Sequence, residues 1–326
     1  MTDALSTPGI HHVTAIASDP TENHAFYTDV LGLRLVKRSV NQDDVGVYHL
    51  FYADHAGNPG TSMTFFPYTG TRAGQPGAGQ ASTVSFTVPA SAIDYWVDRL
   101  AEHGVDTRRV ERFGDSVVAF TDPDGLPLEL VGREDAPAGD PPAGPVPTAH
   151  AIRGFFGVEL ALPDPGPTVR LLEAMGYEEA GTEPARGVAG ATVGDADGTS
   201  RRRFETTGDL GFVVDVVTGS GLPQGVPGAG TVHHVAYRVT DAEQAAWRDL
   251  LGDHGLRPSE VIDRKWFRSV YARTHGGVLF EFATKEPGYD VDEPLDELGE
   301  RLVLPEWLED RREEIEAGLP ALGESV

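Results

Sequence analysis

The sequence predicts an α+β fold: four βαβββ modules in two domains, followed by a C-terminal helical tail. Three observations carry that expectation. Gly/Pro-rich stretches divide the chain into four segments, near residues 9–68, 81–132, 153–218 and 231–285. Each segment opens with a short strand-like run: IHHVTAIA, STVSFTVP, GFFGVELAL and TVHHVAYRV. Each run is followed by a helical stretch that stops near a glycine, with room for several more strands behind it.

The elements follow in order. The first helix runs through TENHAFYTDVLG, with Asp19 as N-cap, Pro20 at the first helical position and Gly32 as the stop. The other helices stop at Gly104, Gly176 and Gly255. SVVAFTDPDGLPLEL (residues 116–130) aligns with SVYARTHGGVLFEF (residues 269–282). Both read as strand, tight turn, strand, with Glu129 and Glu281 near their ends. REDAPAGDPPAGPVPTAH (residues 133–150) lacks apolar periodicity and reads as an extended connector. It separates an N-terminal domain (1–132) from a C-terminal domain (151–290), two modules each, with a tail at 291–326. In the tail, Leu302, Leu304, Trp307, Leu308 and Ile315 are the expected packing residues of one or two amphipathic helices. They would cap the second domain or form a dimer contact.

Composition narrows the function. No apolar run approaches the ~18 residues of a membrane span, and the first residues, MTDALSTPGIHH, lack the basic start and apolar stretch of a signal peptide. A soluble, cytoplasmic protein is expected. Cysteine is absent, which removes disulfides, thiolate metal sites and cysteine nucleophiles. The net charge of −25 argues against nucleic acid or anionic membrane as a partner. Lysine occurs only at Lys37, Lys265 and Lys285. So acidic a chain with so few lysines suggests a halophilic cytoplasm, the alternative being an ordinary acidic proteome of a GC-rich genome. Arg201-Arg202-Arg203 reads as a solvated strand or loop.

A histidine doublet stands on the opening strand of two segments: His11-His12 and His233-His234. Neighbouring strand residues point to opposite faces, so one histidine of each pair should meet a shared cavity. Glu281 adds a carboxylate within the apolar run GVLFEFAT, a costly place unless the group is paired or metal-bound. Glu129 occupies the matching place, but its segment has Thr83 where the fourth has His234, so Glu129 reads as structural or solvent-facing. Two histidines and one carboxylate form a facial triad that leaves about three adjacent positions of an octahedral ion open. The matching strand of the first segment, TSMTFFP, carries no fourth ligand.

At these residues the chain resembles a known family. GIHHVTAIASD, FYTDVLGLRLVKRSVNQDD, YHLFYAD, GNPGTSMTFFP, GTVHHVAYRV, VIDRKWFRSVYARTHGGVLFEFAT and PGYDVDEPLDELGERLVLPEW closely resemble hydroquinone-type, extradiol-like ring-cleaving dioxygenases of the vicinal-oxygen-chelate (glyoxalase/bleomycin resistance/dioxygenase) superfamily. The likeness runs from about residue 9 to residue 320. His275-Gly276-Gly277, before the last strand, departs from the family's more usual proline-containing turn. The resemblance implies Fe(II), or Mn(II), held by His12, His234 and Glu281. It further implies catalytic contacts from His11, Arg264 and Tyr271, and substrate contacts from Thr14 and His233. The expected partners are O2 and a small hydroquinone-like or catechol-like ring; the oligomeric state is open, a homo-oligomer being one option. A glyoxalase-like isomerase or lyase, and a metal-free drug-sequestering module, are the rival functions.

Overall fold

The computed structural model of the chain describes residues 5–185 and 199–323. Parts of the third segment (186–198), the extreme N-terminus and the last three residues lie outside them. Four βαβββ modules are present. The first comprises β1 (Ile10–Ala17), α1 (Pro20–Ala25), β2 (Arg34–Asn41), β3 (Asp44–Ala53) and β4 (Ser62–Pro67). The second comprises β5 (Gln80–Pro89), α2 (Ile93–Glu102), β6 (Arg108–Arg112), β7 (Asp115–Thr121) and β8 (Pro127–Arg133). The third comprises β9 (Gly154–Ala161), α3 (Gly166–Ala174), β10 (Glu178–Pro184), β11 (Ser200–Glu205) and β12 (Val213–Thr218). The fourth comprises β13 (Thr231–Val239), α4 (Gln244–Asp253), β14 (Ile262–Asp263), β15 (Arg268–Arg273) and β16 (Leu279–Thr284).

The helices begin and end for local reasons. Asp19 accepts hydrogen bonds from the Thr21 and Glu22 N–H groups at the start of α1, and Pro20 fills the first turn, where no N–H is needed. The helix continues as one π turn, Phe26–Val30, before Gly32 takes φ 71° and reverses the chain.

Hydrogen bonding joins the modules across the connector. β1 pairs antiparallel with β13, giving one eight-stranded sheet, β14-β15-β16-β13-β1-β4-β3-β2. β5 pairs antiparallel with β9, giving the second, β10-β11-β12-β9-β5-β8-β7-β6. Each sheet thus takes one module from either side of residues 133–150. The connector has no regular structure but is pinned in place. His55 donates its N–H to the Asp140 carbonyl at 2.8 Å, Trp96 Nε1 donates to the His150 carbonyl at 2.8 Å, and Val146 is buried. The other two Gly/Pro stretches lie against each other, bridged at Ala73/Ala229 and Gln75/Val226. A Cβ on Gly74 would come within 2.8 Å of the Gly228 nitrogen, so the approach requires glycine there.

The tail differs from its expectation. It folds mainly as short 3-10 turns, with one seven-residue helix, α5 (Arg312–Gly318). Pro294 and Pro305, which lack an N–H, each begin a new turn instead of continuing a helix. It packs on the first module: Val303 donates its N–H to the Arg38 carbonyl, and Leu304, Leu308 and Ile315 bury against Val40. Trp307, expected to pack, is half exposed. No helix among the described residues is long and apolar enough to cross a membrane.

Candidate metal centre and adjoining cavity

The seam between β1 and β13 builds the site. Strict alternation would put only one residue of each histidine doublet on a given face, but the pairing slips once on each strand. Ile10 faces Tyr237 and His12 faces Ala236, leaving His11 unpaired; Thr14 faces His234 and Ala15 faces Val232, leaving His233 unpaired. Both doublets therefore sit at β-bulges, which re-aim side chains beside functional sites. His12 Nε2 and His234 Nε2 come within 3.2 Å of each other. Glu281, on β16 beside β13, places Oε2 3.3 Å from His12 Nε2 and 2.8 Å from His234 Nε2. Among the described residues these three form the one such cluster of metal-ligand type, and all three are buried.

The surroundings hold the triad in position. His12 Nδ1 lies 2.9 Å from His11 Nδ1, and His234 Nδ1 lies 2.8 Å from His233 Nδ1. Ser269 Oγ donates to Glu281 Oε1. Thr14 Oγ1 is 2.8 Å from His234 Nε2 and 2.7 Å from Thr64 Oγ1, which is 3.0 Å from His49 Nε2. This polar line crosses β13, β1 and β4 in register and ends on His49 of β3. Burial would raise the Glu281 carboxyl, but the His12 and His234 imidazoles facing it hold it well below the usual carboxylate range. Burial, then the neighbouring His12, lowers His11 to about 3. Burial also pushes His49 well down.

The donor set fits a divalent metal. Two imidazole nitrogens facing each other at 3.2 Å, with a fully buried carboxylate oxygen 3.3 and 2.8 Å from them, are awkward alone and natural around a cation. Thr14 and Ala236 each lie two residues beyond a candidate ligand histidine, and they face Thr64 and Glu281 respectively. Thr64 therefore occupies the place of a fourth ligand, and its hydroxyl is engaged by Thr14 and His49.

A cavity of about 340 Å³ opens on His12 and His234. Phe51, Phe66, Trp266 and Phe267 give it apolar walls, and Arg264, Tyr271 and His233 give it polar groups. Arg264 Nε donates to Tyr271 Oη at 3.2 Å, and its NH2 group reaches Asp43 at 3.0 Å. Burial, then the Glu281 charge, raises the Tyr271 phenol well above its ordinary range. Five of the eight expected site residues line it: His12, His234, Arg264, Tyr271 and His233. Glu281 stands behind the two histidines, and Thr14 lies behind His234, set back from the cavity where a substrate contact was expected. His11 does not line this cavity. It lines a separate one with Trp266, Phe267 and Tyr289. The sequence reading also missed the first module's share of the wall, including His49, Phe66, Tyr68 and the turn Asn41–Asp44. The NQDD turn joining β2 to β3 was the available signal.

Residues 9–130 match the family described as Glyoxalase/Bleomycin resistance protein/Dioxygenase superfamily. A Bacillus subtilis protein named "Putative ring-cleaving dioxygenase MhqO" is 43% identical over 97% of both chains. The chain belongs to the ring-cleaving dioxygenases of this superfamily. A second relative among the dioxygenases, the chlorohydroquinone/hydroquinone 1,2-dioxygenase of Sphingobium indicum, is 32% identical over 94% of both chains. A crystal structure titled as a "putative dioxygenase" from Bacillus subtilis superposes with a TM-score of 0.90 at 41% identity, covering 99% of this dioxygenase and 100% of that chain. Glyoxalase I from Zea mays shares the fold, with a TM-score of 0.62 at 13% identity over 85% of this chain and 92% of that one.

Proposed function

We propose that this ring-cleaving dioxygenase uses Fe(II), with Mn(II) as the alternative ion, held by His12, His234 and Glu281, to open hydroquinone-type rings. The observation that carries the reading is a three-ligand cluster, without a fourth protein ligand among the described residues, beside an aromatic-walled cavity. The hydroquinone substrate class rests on the name of the Sphingobium relative. A metal held by these ligands supplies Lewis acidity toward a phenol oxygen and leaves room for O2 beside it.

The remaining work falls to side chains. His12 and His234 would hold the metal through Nε2, which would place their protons on Nδ1, donated to His11 and His233. That fixes the tautomer of each neighbour, whose own proton is left on Nε2. His233 then offers an N–H to the cavity. His11, facing away from the cavity, orients His12 instead of touching substrate. Arg264 stays protonated and steadies negative charge on the ring oxygen. Tyr271, held neutral by burial, donates its hydroxyl proton to a substrate oxygen. Phe51, Phe66 and Phe267 exclude water from the ring. The expected partners are therefore O2 and a small aromatic substrate.

The test is anaerobic purification, Fe(II) reconstitution and O2 uptake with hydroquinone and catechol panels, beside His234→Ala. Stoichiometric O2 uptake and ring-opened product, lost in the variant, are expected. Metal binding without uptake on any phenol would shift the reading to an isomerase or lyase.

A further inference from the structure

We propose that Asp292, in the C-terminal tail, is a positioning residue for the substrate cavity: it fixes Trp266, and with it the loop that presents Arg264 and Phe267. This rests on the reading of that cavity as the substrate site.

The loop between β14 and β15 is four residues long, and three of them line the cavity. Its geometry is constrained. Lys265 takes φ 73°, a left-handed conformation unusual outside glycine, with its N–H donated to Asp263 Oδ1 at 2.7 Å. This kink sends Arg264 one way, over the Tyr271 ring, and turns Trp266 inward, where it is almost wholly buried. Trp266 forms a wall of both the substrate cavity and the cavity behind it, so its tilt sets the shape of both.

The tail and the residues just before it add further contacts to the loop. Trp266 Nε1 donates to Asp292 Oδ2 at 2.9 Å, and Gly288 donates its N–H to the Trp266 carbonyl at 2.9 Å. Lys265 Nζ lies 3.3 Å from Asp292 Oδ2 and 2.9 Å from Glu306. The other oxygen of Asp292 binds Lys37 Nζ at 2.6 Å. Lys37, on β2 of the first module, is fully buried, also pairs with Glu293, and lies 5.5 Å from the centre of the Trp266 ring. Among the described residues, Asp292 is thus the carboxylate that ties the first module, the tail and the fourth module's loop together. Two of the chain's three lysines converge on it. A buried network of this kind has one low-energy arrangement, which makes it a positioning device and not merely a fastening.

The experiment uses the full-length, metal-loaded protein and three variants: Asp292→Ala, Asp292→Asn and Glu306→Gln. Glu306→Gln removes only the exposed end of the network. Displacing a cavity wall by about 1 Å can cost up to ~100-fold in kcat/KM. Asp292→Ala is expected to lower kcat/KM on hydroquinone by about 10- to 100-fold, chiefly by raising KM, with metal content unchanged. Asp292→Asn keeps an acceptor for the indole and should give a smaller rise in KM, at least about threefold. Glu306→Gln should match wild type. A readout independent of turnover is acrylamide quenching of Trp266 fluorescence, obtained by difference against Trp266→Phe; it should increase in the same order. A flat series in both readouts, or a rise in Glu306→Gln equal to that in Asp292→Ala, overturns the proposal. Should Asp292→Ala not fold, Asp292→Asn against Glu306→Gln decides by the same two measurements. If wild type consumes no phenol, the dioxygenase reading fails, and the quenching series alone decides the role of Asp292.

Discussion

The two curved sheets share one backbone plan and have opposite interiors. In the first, His12, His234, Glu281 and Thr64 stand at the four positions related by strand register around the seam. In the second, the same positions carry Gly157, Thr83, Glu129 and Asp215. Even the slips recur: residues 82 and 156 are skipped across the β5/β9 seam as 11 and 233 are across β1/β13. The second sheet therefore has carboxylates at both carboxylate positions and a histidine at neither. Arginines fill the space. Arg203 pairs with Asp215 at 2.9 Å, Arg201 with Asp215 at 3.2 Å and with Glu159, and Arg112 with Glu129 at 3.4 Å. A bulged seam brings side chains together whatever they are. Their identities decide whether the concavity binds a cation from solution or is neutralised by guanidinium groups of its own.

The sharpest way to break this comparison is to remove equivalent carboxylates. Glu281→Gln should abolish metal binding and O2 uptake, a loss beyond the ~10- to 100-fold that removal of an outer partner brings. Glu129→Gln should leave metal stoichiometry and turnover at the wild-type level. Metal analysis of the two purified variants checks both. Metal lost from Glu129→Gln would mean that the second sheet also holds an ion. Next in size is Asp215→Asn, which leaves Arg201 and Arg203 short of buried partners. It should destabilise the protein by about 3–5 kcal/mol, measured by urea unfolding, while the folded fraction keeps its metal.

Much of this contrast was legible in the sequence, and the rest was hidden for identifiable reasons. Strand and helix periodicity, together with the glycine stops at Gly32, Gly104, Gly176 and Gly255, marked all four modules, because these signals are local. The His doublets and Glu281 stood out because such residues are rare in apolar strands. Pairing between modules was not readable, since it depends on which strand edges meet. Arg201-Arg202-Arg203 reads as solvated from sequence alone, yet Arg201 and Arg203 are buried. Their acidic partners lie on other strands, as distant in sequence as Glu159, so no local pattern announces them. Glu129 likewise proved buried and paired, structural and not solvent-facing. The bulges were invisible for a similar reason: alternation assumes an unbroken ladder, and only the partner strand shows that a residue has been skipped.

The finest distinction between the sheets lies in two serines, each donating to one of the equivalent glutamates. Ser269 Oγ donates to Glu281, whose other oxygen faces the histidines; Ser85 Oγ donates to Glu129 at 3.0 Å, whose other oxygen faces Arg112. In the first sheet the hydroxyl aims the carboxylate of the proposed metal site. Ser269→Ala should weaken metal affinity by about tenfold, read by competition with a chelator, because the freed carboxylate can rotate away from the cation. In the second sheet no ion waits on the orientation of the carboxylate. Ser85→Ala should cost only the net worth of one buried hydrogen bond, about 1 kcal/mol of unfolding free energy, and leave metal affinity untouched. If Ser85→Ala instead weakened metal binding as much as Ser269→Ala does, the two concavities would be coupled through the β1/β13 and β5/β9 seams, and the second sheet would be part of the metal centre's support.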